Sequence, residues 1–67
     1  MDVRRRVGVN MRRAREAQEI SQEELADRAG IHRTYVSGVE RGVRNPTVIV
    51  LERLAKALKV KTSSLLD

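Results

Sequence analysis

Apolar residues recur along most of this chain at intervals of three and four, the spacing that places side chains on one face of an α-helix. Val7, Met11 and Ala14 follow this spacing, and we predict a first helix over residues 7–18. A later segment, residues 47–58, shows the spacing more strongly. Its first residues are β-branched and favour a strand, but the helical period and the helix-forming residues beyond them favour a helix.

Two shorter helices joined by a tight turn are predicted between Ser21 and Gly42. Ser21 and Glu24 form a capping-box pattern, in which the serine hydroxyl accepts from the Glu24 amide and the Glu24 carboxylate reaches back to the Ser21 amide. Gly30 ends the first of these helices, since glycine adopts positive φ without steric cost. The second helix extends over about residues 33–41.

A last short helix is predicted at residues 63–66, so the 67 residues form a single all-α domain of five helices. The chain has no cysteine and one histidine, which excludes disulfides and argues against a zinc site. No apolar run approaches the ~20 residues of a membrane span, and the charged first residues do not resemble a signal peptide. We therefore expect a cytoplasmic protein, or part of one, that does not enter a membrane.

The charge balance indicates a polyanionic partner. Lysine and arginine number 14 against 9 acidic residues, for a net charge of +5. Such an excess suits nucleic acid or a membrane surface, although a basic pI also simply keeps a small protein soluble. The single aromatic residue, Tyr35, argues against single-stranded or RNA ligands, which stack on aromatic side chains. Recognition of a duplex through its groove needs no such stacking, so double-stranded DNA remains a candidate partner. Residues 1–6 are either frayed or a flexible basic arm along the phosphates.

Residues 21–42 resemble the helix-turn-helix of lambda-repressor-like, Cro-type regulators, the Xre family. Within the motif, the residues that carry the resemblance are Ser21, Gln22, Leu25, Ala26, Gly30, Val36, Val39, Glu40, Arg41 and Gly42. Further matches lie at Gly8, Arg12, Arg15, Asn45, Pro46, Leu51, Leu54 to Leu58, Val60, Leu65 and Leu66. In such a domain, four small or branched residues set the crossing of the two helices: Ala26, Gly30, Val36 and Val39.

The resemblance implies that residues 33–41 form a recognition helix in the major groove of DNA. It places four residues at the base edges, the last through close approach of its backbone: Arg33, Thr34, Ser37 and Gly38. It places six residues at phosphates: Gln22, His32, Tyr35, Arg41, Arg44 and Asn45. For His32 an ordinary surface position remains open, and for Tyr35 a place in the core. Arg15 and Glu40 resemble an ion pair that ties the first helix to the recognition helix.

These features predict a sequence-specific transcriptional regulator, such as a repressor, that binds a two-fold operator as a homodimer. On a helical wheel Ile49 points to solvent, so we predict a dimer contact made by Ile49 with Leu65 or Leu66. The alternative is a protein-interaction module of the same fold, such as an antitoxin or an adaptor. The exposed arginines of the motif favour DNA over that alternative.

No combination of residues in the chain indicates catalysis. There is no pairing of a nucleophile with a base, no metal-binding cluster and no glycine-rich phosphate loop. We therefore expect no enzymatic activity, no cofactor, no metal and no small-molecule ligand.

Overall fold

The computed structural model describes residues 2–67, and these form four α-helices and a closing 3₁₀ helix. The helices are α1 (Val3–Ala17), α2 (Gln22–Ala29), α3 (Arg33–Glu40), α4 (Val48–Ala57) and the 3₁₀ helix Thr62–Leu66. Residues 2–67 contain no strand, which confirms the all-α class. None of these helices is both long and apolar enough to cross a membrane.

The predicted count of five α-helices was wrong, because the last segment tightens into a 3₁₀ helix. Its five residues begin with a bond from the Ser64 N–H to the Lys61 carbonyl, 2.9 Å long, with the three-residue spacing of that geometry. Consecutive residues of a 3₁₀ helix point about 120° apart. Leu65 therefore faces the core and is 1% exposed, whereas Leu66 is 42% exposed.

The first helix begins at Val3, earlier than the predicted start at Val7. The Asp2 carboxylate accepts from the Arg4 amide at 2.7 Å and caps the helix. Residues 3–6 are thus helical, and the prediction of a flexible arm was wrong for them; Met1 lies outside the described residues. The sequence signal for this start was an aspartate directly before a valine that lies one helical turn ahead of Val7.

All four α-helices end in the same left-handed turn. The residues in this conformation are Glu19, Gly30, Gly42 and Lys59, with φ between 57° and 77°. After each one, the next N–H bonds to the carbonyl five residues back, as the Schellman motif requires. Glutamate and lysine carry a Cβ that glycine lacks, so the ends of α1 and α4 hold strain that the ends of α2 and α3 do not.

One core joins the helices, and it fixes α3 against α1. Its buried residues are Val7, Met11, Leu25, Ala26, Ala29, Val36, Val39, Leu51, Leu54, Ala55, Leu58 and Leu65. At Gly8 the two backbones touch, because a Cβ there would lie 2.5 Å from the Val39 carbonyl oxygen and 2.6 Å from that of Glu40. The back of α3 is therefore held rigidly, and its other side is left exposed.

The chain end is held by α1 through Asn10. Its Nδ2 donates to the carbonyl oxygens of Leu65, at 3.1 Å, and Asp67, at 2.8 Å. Leu65 is consequently a core residue, and its predicted place in a dimer interface was wrong. Ile49, 66% exposed, and Leu66 remain accessible.

Candidate nucleic-acid interface

A largely buried ion pair connects α1 to α3. Arg15 Nε donates to Glu40 Oε2 at 2.7 Å, and Arg15 Nη2 donates to Glu40 Oε1 at 3.1 Å. The two side chains are 13% and 4% exposed. Hydrogen bonding to Glu40 raises the pKa of the Arg15 guanidinium, so the arginine remains charged. The guanidinium and the carboxylate thus form a bidentate pair, which fixes the relative orientation of the two side chains as well as their distance.

Gln22 completes this network from the start of α2. Its Nε2 donates to Glu40 Oε1 at 2.9 Å, while Arg15 Nη1 donates to the Ile20 carbonyl at 2.9 Å. Gln22 was predicted as a phosphate contact. One of its two amide hydrogens is used inside the protein, so that contact stays a prediction that depends on the other hydrogen.

The cap of α2 differs in part from the predicted capping box. Ser21 Oγ accepts from the Glu24 amide at 3.0 Å, as predicted. The Glu24 carboxylate, however, accepts from Arg28 Nε at 3.0 Å, one turn along the helix. An oppositely charged side chain four residues away attracts the carboxylate away from the helix start.

The start of α2 and the exposed side of α3 line a groove of about 590 Å³. Its walls are formed by Arg15, Ser21, Gln22, Glu23, Arg33, Thr34 and Ser37. Three of the four predicted base-reading residues, Arg33, Thr34 and Ser37, are thus brought to one surface. Glu23 faces them and was not predicted as a site residue.

Glu23 forms a surface ion pair with Arg33. Arg33 Nη1 lies 3.6 Å from Glu23 Oε2, and the side chains are 66% and 70% exposed. Pairs this exposed contribute little energy. The ion pair therefore restrains Arg33 only weakly, and a ligand that binds the guanidinium more tightly can displace Glu23. In the sequence, the pair was indicated by the acidic residue Glu23 in the first turn of α2, the helix that precedes α3.

His32 caps α3. Its Nδ1 accepts from the Thr34 amide at 3.2 Å, and the residue is exposed. A neutral imidazole that accepts at Nδ1 carries its hydrogen on Nε2. The ring thus stabilises the start of α3 and still offers one donor to solvent or to a phosphate.

In the C-terminal half of α3, the surroundings of Gly38 differ from the predicted ones. This glycine is buried, and the side chain that covers it is Arg44. Arg44 occupies the place that DNA would need for the predicted close approach to the Gly38 backbone, so that contact stays a prediction that requires Arg44 to move. The Arg44 Cζ lies 6.0 Å from the centre of the Tyr35 ring, which is half-buried and packs against the core.

The other predicted phosphate contacts lie near the end of α3. Arg41 is exposed, and its Nε donates to the Ser37 carbonyl at 3.4 Å. Asn45 is exposed in the loop that follows. The helix α3 presents Arg33 on its exposed side, is followed by Arg41 and Arg44, and is packed against the core on its other side. A helix in this position, preceded by a capped helix and a glycine turn, defines a helix-turn-helix DNA-binding domain.

Comparisons with known proteins give the family. Residues 11–65 match the family model described as helix-turn-helix, HTH_3, and the chain belongs to this family. It is 50% identical over 60 residues to the HTH-type transcriptional regulator y4dJ of Sinorhizobium fredii, covering 90% of this chain and 78% of that protein. It is 44% identical over 66 residues to the control protein C.SmaI of Serratia marcescens, covering 98% and 79%.

A solved structure shares the fold. The crystal structure of the restriction-modification controller protein C.AhdI from Aeromonas hydrophila is similar with a TM-score of 0.90 and 40% identity, covering 92% of this chain and 94% of that one. The resemblance to Xre-type regulators is thereby confirmed. The chain is a DNA-binding transcriptional regulator of the helix-turn-helix family.

Proposed function

We propose that this regulator recognises a specific DNA duplex by placing α3 in the major groove. The observation that carries the proposal is the groove in which Arg33, Thr34 and Ser37 share one exposed surface. An α-helix with its side chains is about 10–12 Å wide, and the major groove is about 12 Å wide. The network of Arg15 and Glu40 supports the same conclusion, since it holds α3 at one angle to the rest of the domain.

Each of the three readers has a chemical role. Arg33 donates two hydrogen bonds to O6 and N7 of a guanine, the commonest specific contact in the major groove. To do so it leaves Glu23, which costs little because that pair is exposed. Thr34 packs against a thymine methyl or bonds to either base type, and Ser37 reads the position one turn further along.

Residues around the readers hold the phosphate backbone. The proposed contacts are Gln22 and His32 through their remaining N–H groups, together with Tyr35, Arg41, Arg44 and Asn45. Contacts of this kind set the position and angle of the helix but carry little sequence information themselves. They make the affinity fall steeply with salt, by a slope of about 0.9 for each phosphate neutralised.

We further propose a homodimer formed through apolar side chains that one copy leaves exposed. Val48, Ile49 and Leu66 are 72%, 66% and 42% exposed. Covering such residues against a second copy removes apolar surface from water. A two-fold dimer presents two recognition helices to half-sites about 34–36 Å apart, one turn of DNA.

Selection from randomised duplexes tests the recognition proposal. The expected product is a palindromic pair of half-sites, bound at least ~10³-fold more tightly than random duplex. Arg33→Ala is expected to relax the preference at one base pair in each half-site, at a cost of about 1–3 kcal/mol. Arg13→Ala removes the same charge from an exposed position on α1 and is the matched control. An unchanged base preference in Arg33→Ala would show that Arg33 is not the reader.

Sedimentation over a range of concentrations tests the dimer. The natural chain is expected to show a concentration-dependent mass, and Ile49→Glu to remain monomeric. If the mass of Ile49→Glu were the same as that of the natural chain at every concentration, the interface would lie elsewhere.

A further inference from the structure

Gly38 lies on the side of α3 that carries the proposed base-reading residues, and it has no side chain. It lies one helical turn beyond Thr34, a spacing that places two residues on the same face of a helix. Thr34 is exposed, yet Gly38 is buried. Something must therefore cover this part of the recognition helix.

The cover is the side chain of Arg44. A Cβ built on Gly38 would collide with Arg44 Cγ, and it would lie 3.4 Å from Arg44 Cβ and 3.5 Å from Arg44 Cδ. All three of these nearest atoms belong to the one arginine. Gly8 shows a contrasting arrangement, because its nearest atoms belong to the backbone of α3. A side chain at position 38 would thus displace Arg44, whereas one at position 8 would separate two helices.

The loop after α3 holds Arg44 at this place. The amides of Val43 and Arg44 both donate to the Gly38 carbonyl, at 3.0 Å and 3.2 Å. From there the Arg44 side chain extends back along α3, and its guanidinium carbon lies 6.0 Å from the centre of the Tyr35 ring. An arginine over an aromatic ring at this distance is attracted to the ring face. Tyr35 and Gly38 therefore contact the same side chain at two points along its length.

We propose that Gly38 is a positioning residue for Arg44: by lacking a side chain it lets Arg44 pack along the recognition helix and meet a DNA phosphate already ordered. The proposal rests on the proposed function, in which Arg44 contacts DNA. A free arginine loses much rotamer freedom when it binds, and a side chain ordered beforehand avoids part of that loss. Gly38 thus contributes to affinity without touching the DNA.

A double-mutant cycle on duplex binding tests this role. Arg44→Ala is expected to weaken binding to the selected duplex by about tenfold or more, as loss of a charged hydrogen bond does. Gly38→Ala is expected to weaken binding by a similar factor. The double variant is expected to bind no more weakly than Arg44→Ala alone, because its arginine is already gone. Arg13→Ala, measured in parallel, controls for the lost charge.

Two further measurements separate positioning from a loss of structure. Circular dichroism of Gly38→Ala is expected to show full helix content, since alanine is the better helix former. In the free protein, nuclear Overhauser contacts between the Arg44 side chain and the Gly38 Hα protons are expected. Their absence from the natural chain would overturn the proposal without any DNA in the sample.

The binding outcomes are equally distinct. Gly38→Ala that binds as the natural chain does would overturn the proposal. So would a loss from Gly38→Ala that persists undiminished in the Arg44→Ala background, because Gly38 would then act without Arg44. If Arg44→Ala binds normally while Arg33→Ala loses base preference, the positioning role fails and the proposed function stands. If neither arginine matters, the proposed function fails as well.

Discussion

Replacing Glu40 by glutamine is expected to destabilise the domain strongly, although it changes the shape of the side chain very little. Glu40 accepts two hydrogen bonds from Arg15 and one from Gln22. The glutamine amide offers one acceptor oxygen in place of two and carries no charge. Arg15 would then keep its charge in a largely buried place without a counter-ion.

The size of the effect follows from the burial of the pair. Removing one partner of a buried ion pair typically costs about 3–5 kcal/mol. Arg15 is 13% exposed and retains its bond to the Ile20 carbonyl, so we expect the lower end of that range, about 3 kcal/mol. At about 0.05–0.15 kcal/mol per residue, a domain of this size has roughly 3–10 kcal/mol of stability in total. Glu40→Gln therefore removes about 30% of it or more.

Urea denaturation followed by circular dichroism measures this loss as a lower midpoint at an unchanged slope. The matched control is Glu16→Gln, which removes the same charge from an exposed pair with Arg12, 57% and 64% exposed, and is expected to cost less than about 0.5 kcal/mol. The variant Arg15→Met with Glu40→Leu removes both charges. It is expected to be close to the natural chain in stability, because apolar pairs often replace buried ion pairs without loss.

Two results would refute this reasoning. A cost below about 1 kcal/mol for Glu40→Gln would mean that water solvates Arg15 well enough to replace its partner. A double variant as unstable as the sum of its two single variants would mean that the two side chains do not stabilise each other.

Three further predictions concern the helices themselves. Gly8→Ala is expected to lower the stability by about 1–3 kcal/mol, because the added Cβ would collide with backbone oxygens of α3. Thermal melting measures this loss, and an unchanged midpoint would contradict the close contact. Lys59→Gly is expected to raise the stability by up to about 1 kcal/mol in the same assay, because φ is 58° at this position and glycine adopts positive φ without steric cost. A loss of stability would show that the Lys59 side chain stabilises the turn. Hydrogen bonds from Arg4 lower the pKa of Asp2 below its ordinary value. The contribution of this cap is therefore complete above the ordinary aspartate pKa and is lost as the pH falls through the lowered value. Carboxyl chemical shifts report this titration, and Arg4→Ala, which keeps the Arg4 amide, is expected to raise the pKa part of the way back.

Much of the architecture was predictable because it depends on short stretches of chain. The helical period of α4 outweighed the β-branched residues at its start, and Thr47 caps it through a bond from the Val50 amide, 3.2 Å long. Ser21 and Gly30 likewise mark the two ends of α2 through contacts within a few residues. The same local rules account for the start of α1 at Val3, because the Asp2 carboxylate caps the helix.

The structure differed from the predictions at positions that are covered or oriented by residues outside their own helix. Leu65 was predicted as a dimer contact, but a 3₁₀ turn held by Asn10 points it inward. Gly38 was predicted to approach DNA, but Arg44 folds back over it. In both cases the deciding contact comes from a residue that no local pattern connects to the position.

The amino-acid sequence by itself determined which segments are helical, which two of them form the helix-turn-helix and which residues of α3, apart from Gly38, face outward. Periodicity, caps and glycine turns are properties of consecutive residues, so they can be predicted without knowing what packs opposite. Only the tertiary structure decided which partners the long polar side chains bind. Gln22 donates to Glu40, Glu23 pairs with Arg33, and Arg44 packs on the surface of α3. Such side chains reach several partners of similar energy, and the choice depends on which helix the fold brings near.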